Sequence, residues 1–250
     1  MIKRFLLATD FGGAGPYQGQ LRTVLAELAP GVPVIDLVAD LVPFRPDLAG
    51  YLLPHLLRDL PADNLVLAVV DPGVGGERDV LVLQTERNWF VAPDNGLLSQ
   101  VARRAGRVRW WRVDWRPQRL SASFHGRDLF APVAARIAVT GEVPGQPADG
   151  GLLHGADWPA QSRAIIYQDR YGNLCSGLQA GEISSESRLI AAGLEIPRAR
   201  TFCDLPPGTA FWYENSLGLV EIAVNLKHAG AVLGLKPGDL IQVADGAGAP

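Results

Sequence analysis

Cysteine is nearly absent from this chain of 250 residues. Cys175 and Cys203 stand alone, without the CxxC spacing of a zinc knuckle or the density of a disulfide framework, so a reduced, cytoplasmic setting is expected. Lysine is confined to Lys3, Lys227 and Lys236, and the formal net charge is -3. No basic field therefore points to nucleic acid. No stretch approaches the ~18 consecutive apolar residues of a membrane span. Phe5 to Ala8 follows Lys3 and Arg4, but Asp10 ends the run too soon for the apolar part of a secretory signal. A soluble protein with no membrane partner is the expectation. His55, His125, His154 and His228 show neither an HExxH motif nor paired spacing, so no metal site is expected.

What the chain does have is an ordinary globular balance, 48% apolar and 20% charged, with length for one large domain or two smaller ones. Apolar runs at 5–8, 32–37, 65–70, 80–83, 89–91 and 108–113 read as strands. The run at 65–70 has the continuous apolar character of a strand buried on both faces. Helical patterns fall at 21–28, 48–60, 97–104 and 129–139, with Asp47, Asp94 or Asn95, and Asp128 as candidate N-caps. The alternation predicts an α/β domain over residues 1–150, a doubly wound, mostly parallel sheet. Residues 141–159 are rich in Gly, Pro and Ala and read as a linker. Beyond it, short apolar runs at 164–167, 189–192, 210–213, 219–224 and 240–243 predict a smaller all-β, barrel-like domain over 160–250. A short helix is expected near 228–233, and the tail 246–250 is expected to fray.

Four clusters in the first domain carry polar chemistry. Asp10 ends the first strand at the carboxyl edge where open α/β sheets bind ligands, and a carboxylate can accept both hydroxyls of a ribose diol. Its structural alternative is loop solvation or a cap. The segment Val69-Val70-Asp71-Pro72-Gly73-Val74-Gly75-Gly76-Glu77-Arg78 sets an acid and a cation on the arms of one glycine turn. A phosphate cradle fails on context, because no Gly-Lys-Ser/Thr follows and the turn leads into a strand. A hairpin-like connection with a surface ion pair is the bland alternative. Ala92-Pro93-Asp94-Asn95-Gly96 reads mainly as capping and pocket wall. His125, in Ser123-Phe124-His125-Gly126-Arg127-Asp128, lies in a glycine-flanked loop at the same sheet edge as Asp71. In the second domain, Asp169-Arg170-Tyr171-Gly172-Asn173 and Asn215-Ser216-Leu217-Gly218-Leu219-Val220-Glu221 set polar groups beside an aromatic or a glycine. Tyr171 can stack on a planar base and Asn173 can pair with a purine edge, with turn chemistry as the equal alternative.

The stretches TDFGG at 9–13, VVDPGVGGER at 69–78, APDNGLL at 92–98, SFHGRDLFAPVAA at 123–135, DRYGN at 169–173 and NSLGLVEIAVN at 215–225 together resemble the SAM hydroxide adenosyltransferases, relatives of the SAM-dependent chlorinases and fluorinases. The resemblance implies cleavage of S-adenosyl-L-methionine (SAM) by water at ribose C5′, giving adenosine and L-methionine. It implies an Asp71/Arg78/His125 triad, Asp10 on the ribose diol, Asp169 and Ser216 on the amino-acid group, Tyr171 and Asn173 on adenine, and Glu221 as a further candidate for substrate binding. It also implies a homotrimer with sites between subunits, and SAM as substrate with no separate cofactor. The halogenating relatives carry tyrosine in place of Asp71, threonine in place of Val74, and an inserted loop without room here between Val91 and Phe124. The loop at 12–19 looks shorter than the family's and lacks the aspartate that follows TDFG. Halide transfer and a non-catalytic SAM or adenosine sensor are the alternatives left open.

Overall fold

The computed structural model describes residues 1–150, 153–184 and 187–244. The chain divides into two compact units, Met1–Trp158 and Pro159–Pro250. In the first, β1 (Arg4–Thr9), α1 (Pro16–Leu28), β2 (Val34–Val38), α2 (Pro46–Leu56) and β3 (Asn64–Val69) alternate. There follow β4 (Val80–Thr85), β5 (Asn88–Pro93), α3 (Ser99–Arg104), β6 (Val108–Val113), α4 (Ala131–Thr140) and β7 (Gly145–Ala148). They build one seven-stranded sheet in the order β2-β1-β3-β5-β4-β6-β7. Pairing is parallel from β2 through β5 and antiparallel from β5 through β7, a mixed sheet with a parallel half.

Side chains alternate across a strand, so a strand buried on both faces is apolar throughout. Phe5, Leu7, Leu65, Leu67 and Val69 point into a core shared with Leu21 and Leu25 of α1 and with Val133, Ala134 and Ile137 of α4. Leu6, Ala8, Val66 and Ala68 point the other way and are equally buried. On that side the apolar α2 packs against α3.

The strand order gives the glycine-rich segment its geometry. β3 and β4 are not neighbours, because β5 lies between them, parallel to β3 and antiparallel to β4. The connection at 70–79 therefore crosses the end of β5, a span of two strand spacings, roughly 10 Å. It is not the hairpin-like link that the sequence allows. It is tied down from beneath: Asp94 N–H donates to Asp79 O (3.0 Å) and Asn95 Nδ2 to Val70 O (2.8 Å).

Several local expectations are corrected. Residues 145–148 of the expected linker form β7 on the edge of the sheet, because their backbone completes the ladder on β6 despite a Gly/Pro/Ala composition. Helix α1 begins at Pro16, earlier than the apolar pattern at 21–28, after a loop over Gly12 to Gly15. Helix α2 begins at Pro46, and Asp47 is not its cap; its carboxylate pairs with Arg45 at 2.6 and 2.8 Å. Helix α3 begins at Ser99 after Leu98, so neither Asp94 nor Asn95 caps it. Asp128 lies inside a π-helical turn, Gly126–Phe130, that precedes α4, and it accepts the N–H of Ser121 (2.9 Å) instead of capping.

The second unit holds β8 (Ser162–Gln168), β9 (Leu174–Gln179), β10 (Arg188–Ala191), β11 (Leu194–Ile196), β12 (Ala210–Glu214), β13 (Leu219–Val224), α5 (Ala229–Leu233) and β14 (Gln242–Ala244). Two antiparallel sheets, β12-β13-β9-β8 and β11-β10-β14, share a core of Ile165, Leu174, Leu189, Trp212, Ile222 and Ile241. The sequence pattern passes over β9, whose LCSGLQ mixes small and polar residues yet is buried almost throughout. The short helix appears as α5, capped by His228, whose Nδ1 accepts the N–H of Ala231 (3.0 Å). The tail expected to fray lies outside the described residues.

Candidate active site

In the first unit the carboxyl ends of β1 and β3 open into a cleft of about 320 Å³. Asp10, Asp71, Ser123 and His125 supply its polar wall, and Phe11, Tyr17, Phe44, Val74 and Phe124 its apolar wall. Asp71 and Arg78 face each other from the two arms of the crossing connection. Arg78 Nε donates to Oδ1 (3.0 Å) and Oδ2 (3.1 Å), and Nη2 donates to Oδ2. Their side chains are 6% and 12% exposed, so this is a buried, forked ion pair, not a surface one. The guanidinium also lies over the Phe130 ring, 5.4 Å from its centroid, which ties the pair to the π-helical turn.

The connection has no room for larger residues at its middle. Gly75 has φ 81°, and a Cβ there would lie 2.4 Å from Ala122 O, so the glycine lets the connection rest on the strand of chain leading to His125. His125 itself precedes the π-helical turn. It is buried, and its Nδ1 has no hydrogen-bond partner among the described residues. Burial, and then the nearby Arg78 charge, push its pKa below the usual histidine value, so the ring is neutral near pH 7. Asp10 accepts the N–H of Phe44 through Oδ2 (3.1 Å). Burial pushes its carboxyl pKa up, opposed by that hydrogen bond and reinforced by the charge of Asp71.

The aromatic wall was not singled out from the sequence. Phe11, Tyr17 and Phe124 pack edge to face with centroids 5.1–6.1 Å apart. Tyr17 and Phe44 are exposed at the rim. Phe11 and Phe124 lie inside motifs already quoted, so the missing signal was their orientation.

The remaining candidates gather in the second unit, around a pocket of about 930 Å³ that Asp169, Tyr171, Asn173, Ser216 and Glu221 all line. Asp169 shapes the β8–β9 loop: Oδ1 accepts the N–H groups of Tyr171 (2.9 Å) and Asn173 (2.8 Å), and Oδ2 accepts Asn173 Nδ2 (2.9 Å). Tyr171 is 77% exposed, a ring held out from the loop. Gly172 (φ 87°) backs onto His228, whose ring a Cβ would meet at 2.2 Å. His228 is therefore both the cap of α5 and a pocket wall. Ser216 sits in the turn after β12.

One rung of the four-stranded sheet forms part of the pocket. Tyr213 pairs with Glu221, Glu221 with Cys175, and Cys175 with Tyr167 across the register, and all four line the pocket. Burial pushes the Cys175 thiol pKa up, which makes it an inert small wall. Burial also pushes Glu221 up, opposed by hydrogen bonds from Tyr213 and Asn215. The sequence places Asn215 in one motif with Glu221, but it misses Tyr213, which strand register sets opposite Glu221. Among the described residues no group of three or more His, Cys, Asp or Glu side chains gathers as a metal site, and no helix is long and apolar enough to cross a membrane.

A strand-edge cleft with a buried Asp/Arg pair and a neutral histidine, in a chain whose second unit carries a polar and aromatic pocket, defines a two-unit α/β enzyme for a small polar substrate. The chain belongs to the SAM hydroxide adenosyltransferase family: the N-terminal domain of that family matches residues 5–145 and the C-terminal domain residues 163–242. It is 35% identical over 252 residues to an (R)-S-adenosyl-L-methionine hydrolase of Salinispora arenicola, covering 95% of this chain and 96% of the relative. A Thermus thermophilus protein of the same name is 36% identical over 255 residues, covering 92% of this chain and 95% of its own length. Among solved structures, an uncharacterized conserved protein from Thermotoga maritima superposes with a TM-score of 0.84 at 29% identity, over 96% of this chain and 99% of that one. A conserved hypothetical protein from Thermus thermophilus gives 0.79 at 32% identity, over 97% and 100%.

Proposed function

We propose that this protein hydrolyses S-adenosyl-L-methionine to adenosine and L-methionine, with water attacking ribose C5′. The observation that carries the reading is Asp71, paired with Arg78, lining one cleft with a neutral His125 whose Nδ1 has no partner among the described residues. The oxygen of water forms a bond to C5′ as the C5′–S bond breaks, and that electron pair returns to sulfur, leaving a neutral thioether. One proton is released per turnover. The leaving group carries its activation as positive charge, so the reading calls for no cofactor and SAM is purely a substrate. The demanding partner is the nucleophile, since bulk water has a pKa of about 15.7. Asp71, held rigid by Arg78, orients the water, and His125 accepts hydrogen-bond density from it. Fixing water in line with C5′ removes much of the entropy cost of the encounter.

In this reading Asp10 accepts the ribose hydroxyls, Asp169 and Ser216 bind the amino-acid group, Tyr171 stacks on adenine and Asn173 pairs with its edge. Glu221 belongs to the same pocket. A cytoplasmic homotrimer, with sites formed between subunits and no membrane or nucleic-acid partner, completes the proposal.

The test is incubation with SAM and chloride in ¹⁸O water, read by mass spectrometry. The expected products are L-methionine and adenosine labelled at the 5′-hydroxyl. A 5′-chloro nucleoside would make the protein a halogenase. Unlabelled adenosine would rule out direct attack by water. Intact SAM with measurable binding would make it a sensor.

A further inference from the structure

The pocket of the second unit contains a buried acid for which the proposed chemistry supplies no task. Glu221 is 9% exposed, and among the described residues no cation pairs with it. A buried acid without a counter-charge costs stability unless its hydrogen bonds are well made. Both oxygens are engaged: the Tyr213 hydroxyl donates to Oε1 and Asn215 Nδ2 donates to Oε2 at 2.9 Å. Tyr213 is set directly opposite by the β12–β13 register.

Asn215 passes the constraint onward. Its Oδ1 accepts the N–H groups of Leu217 (2.9 Å) and Leu219 (3.0 Å). Its backbone carbonyl accepts the N–H of Gly218 (2.9 Å), where φ is 76°. These bonds fix the turn that carries Ser216. A carboxamide can do this only one way round, with oxygen toward the turn and nitrogen toward an acceptor. Glu221 is the strong acceptor (2.9 Å), beside a weaker contact to Cys175 Sγ (3.5 Å), and so sets the orientation of Asn215.

We propose that Glu221 is a positioning residue: acting through Asn215, it holds the Ser216 turn in the orientation that receives the amino-acid end of the substrate, without touching the substrate itself. This rests on the reading of SAM as substrate. It separates two duties within one pocket, because Tyr171 and Asn173, on the β8–β9 loop, lie outside this chain of bonds.

Glu221→Met tests it at similar size. The thioether offers Asn215 Nδ2 no strong acceptor, so the carboxamide loses the bond that orients it and the turn loses its anchor. Calorimetry on the full chain, with SAM and adenosine as separate ligands, is the measurement. SAM binding should weaken about tenfold while adenosine stays within about twofold, with KM raised and kcat nearly kept. Tyr213→Phe, which leaves the Asn215 bond in place, should give a smaller loss with the same ligand preference. Equal loss of both ligands, or of neither, while the wild type binds SAM, overturns the inference alone. A wild type that binds adenosine but not SAM removes the substrate reading and the inference together.

Discussion

Asp71 and Arg78 cannot be altered independently. Each is nearly buried, so removing one leaves the other as an unpaired charge in a poorly solvated place. Asp71→Ala and Arg78→Ala should each lower the unfolding free energy by about 3–5 kcal/mol in urea titrations, and the double variant should recover much of that loss. Turnover should fall about 10²–10⁴-fold in both singles and stay low in the double, which separates the stability role from the catalytic one. A double variant no more stable than the singles would show that the pair acts through something other than its buried charge. His125→Ala should lower turnover while sparing adenosine binding.

The pH dependence belongs to the same residues. His125 has a depressed pKa, so its neutral form persists to lower pH than an ordinary histidine, and protonation places a second cation beside Arg78. The catalytic rate should therefore fall on acidification, with a midpoint below about 6.5. Asp10 has a raised pKa, so the charged carboxylate that the proposed reading gives to the ribose hydroxyls is lost at a higher pH than an ordinary one. KM should rise over that limb, as a pH series of kcat and KM would reveal. At this scale the sequence was informative for residues near glycine turns, such as Asp71 and His125. It was silent on Tyr213, whose importance comes from the β12–β13 register that sets it opposite Glu221.

Among the elements, the connection between β3 and β4 is the most constrained. Gly75→Ala would put a methyl group 2.4 Å from the Ala122 carbonyl and hold alanine at φ 81°, so both sterics and backbone energy oppose it. It should destabilise the fold by more than about 1 kcal/mol and reduce turnover. Gly13→Ala, where open space surrounds the added carbon and φ is ordinary, is the matched control for thermal melts and rates. Helices and apolar strands were legible from their periods. The edge strand β7 was not, because its residues lack strand propensity and are held by the ladder of β6. The π-helical turn after His125 was equally hidden, since Asp128 looks like an N-cap until its bond to Ser121 is seen.

For the whole molecule, the two-unit division follows from a change of pattern along the chain, from strands alternating with helices to short strands alone. The strand order does not. A β4 laid beside β3 and a β5 inserted between them use the same apolar runs, and only three-dimensional pairing chooses between them. Each unit carries part of the proposed site residues, and the family resemblance is what brings neighbouring subunits into the proposal. Size-exclusion chromatography with light scattering should return three times the chain mass, and a monomer retaining full turnover would remove that assembly from the proposal.

The insertion of β5 also bears on how the protein matures. The β4–β5 hairpin turns through two residues, Glu86 and Arg87, and can close on local contacts in microseconds, whereas docking it beside β3 must close a longer loop. The 70–79 connection becomes a bridge only once that third strand fills the gap beneath it. A half-folded chain thus lacks the formed Asp71–Arg78 pair. During refolding, the return of turnover should mark completion of the central sheet.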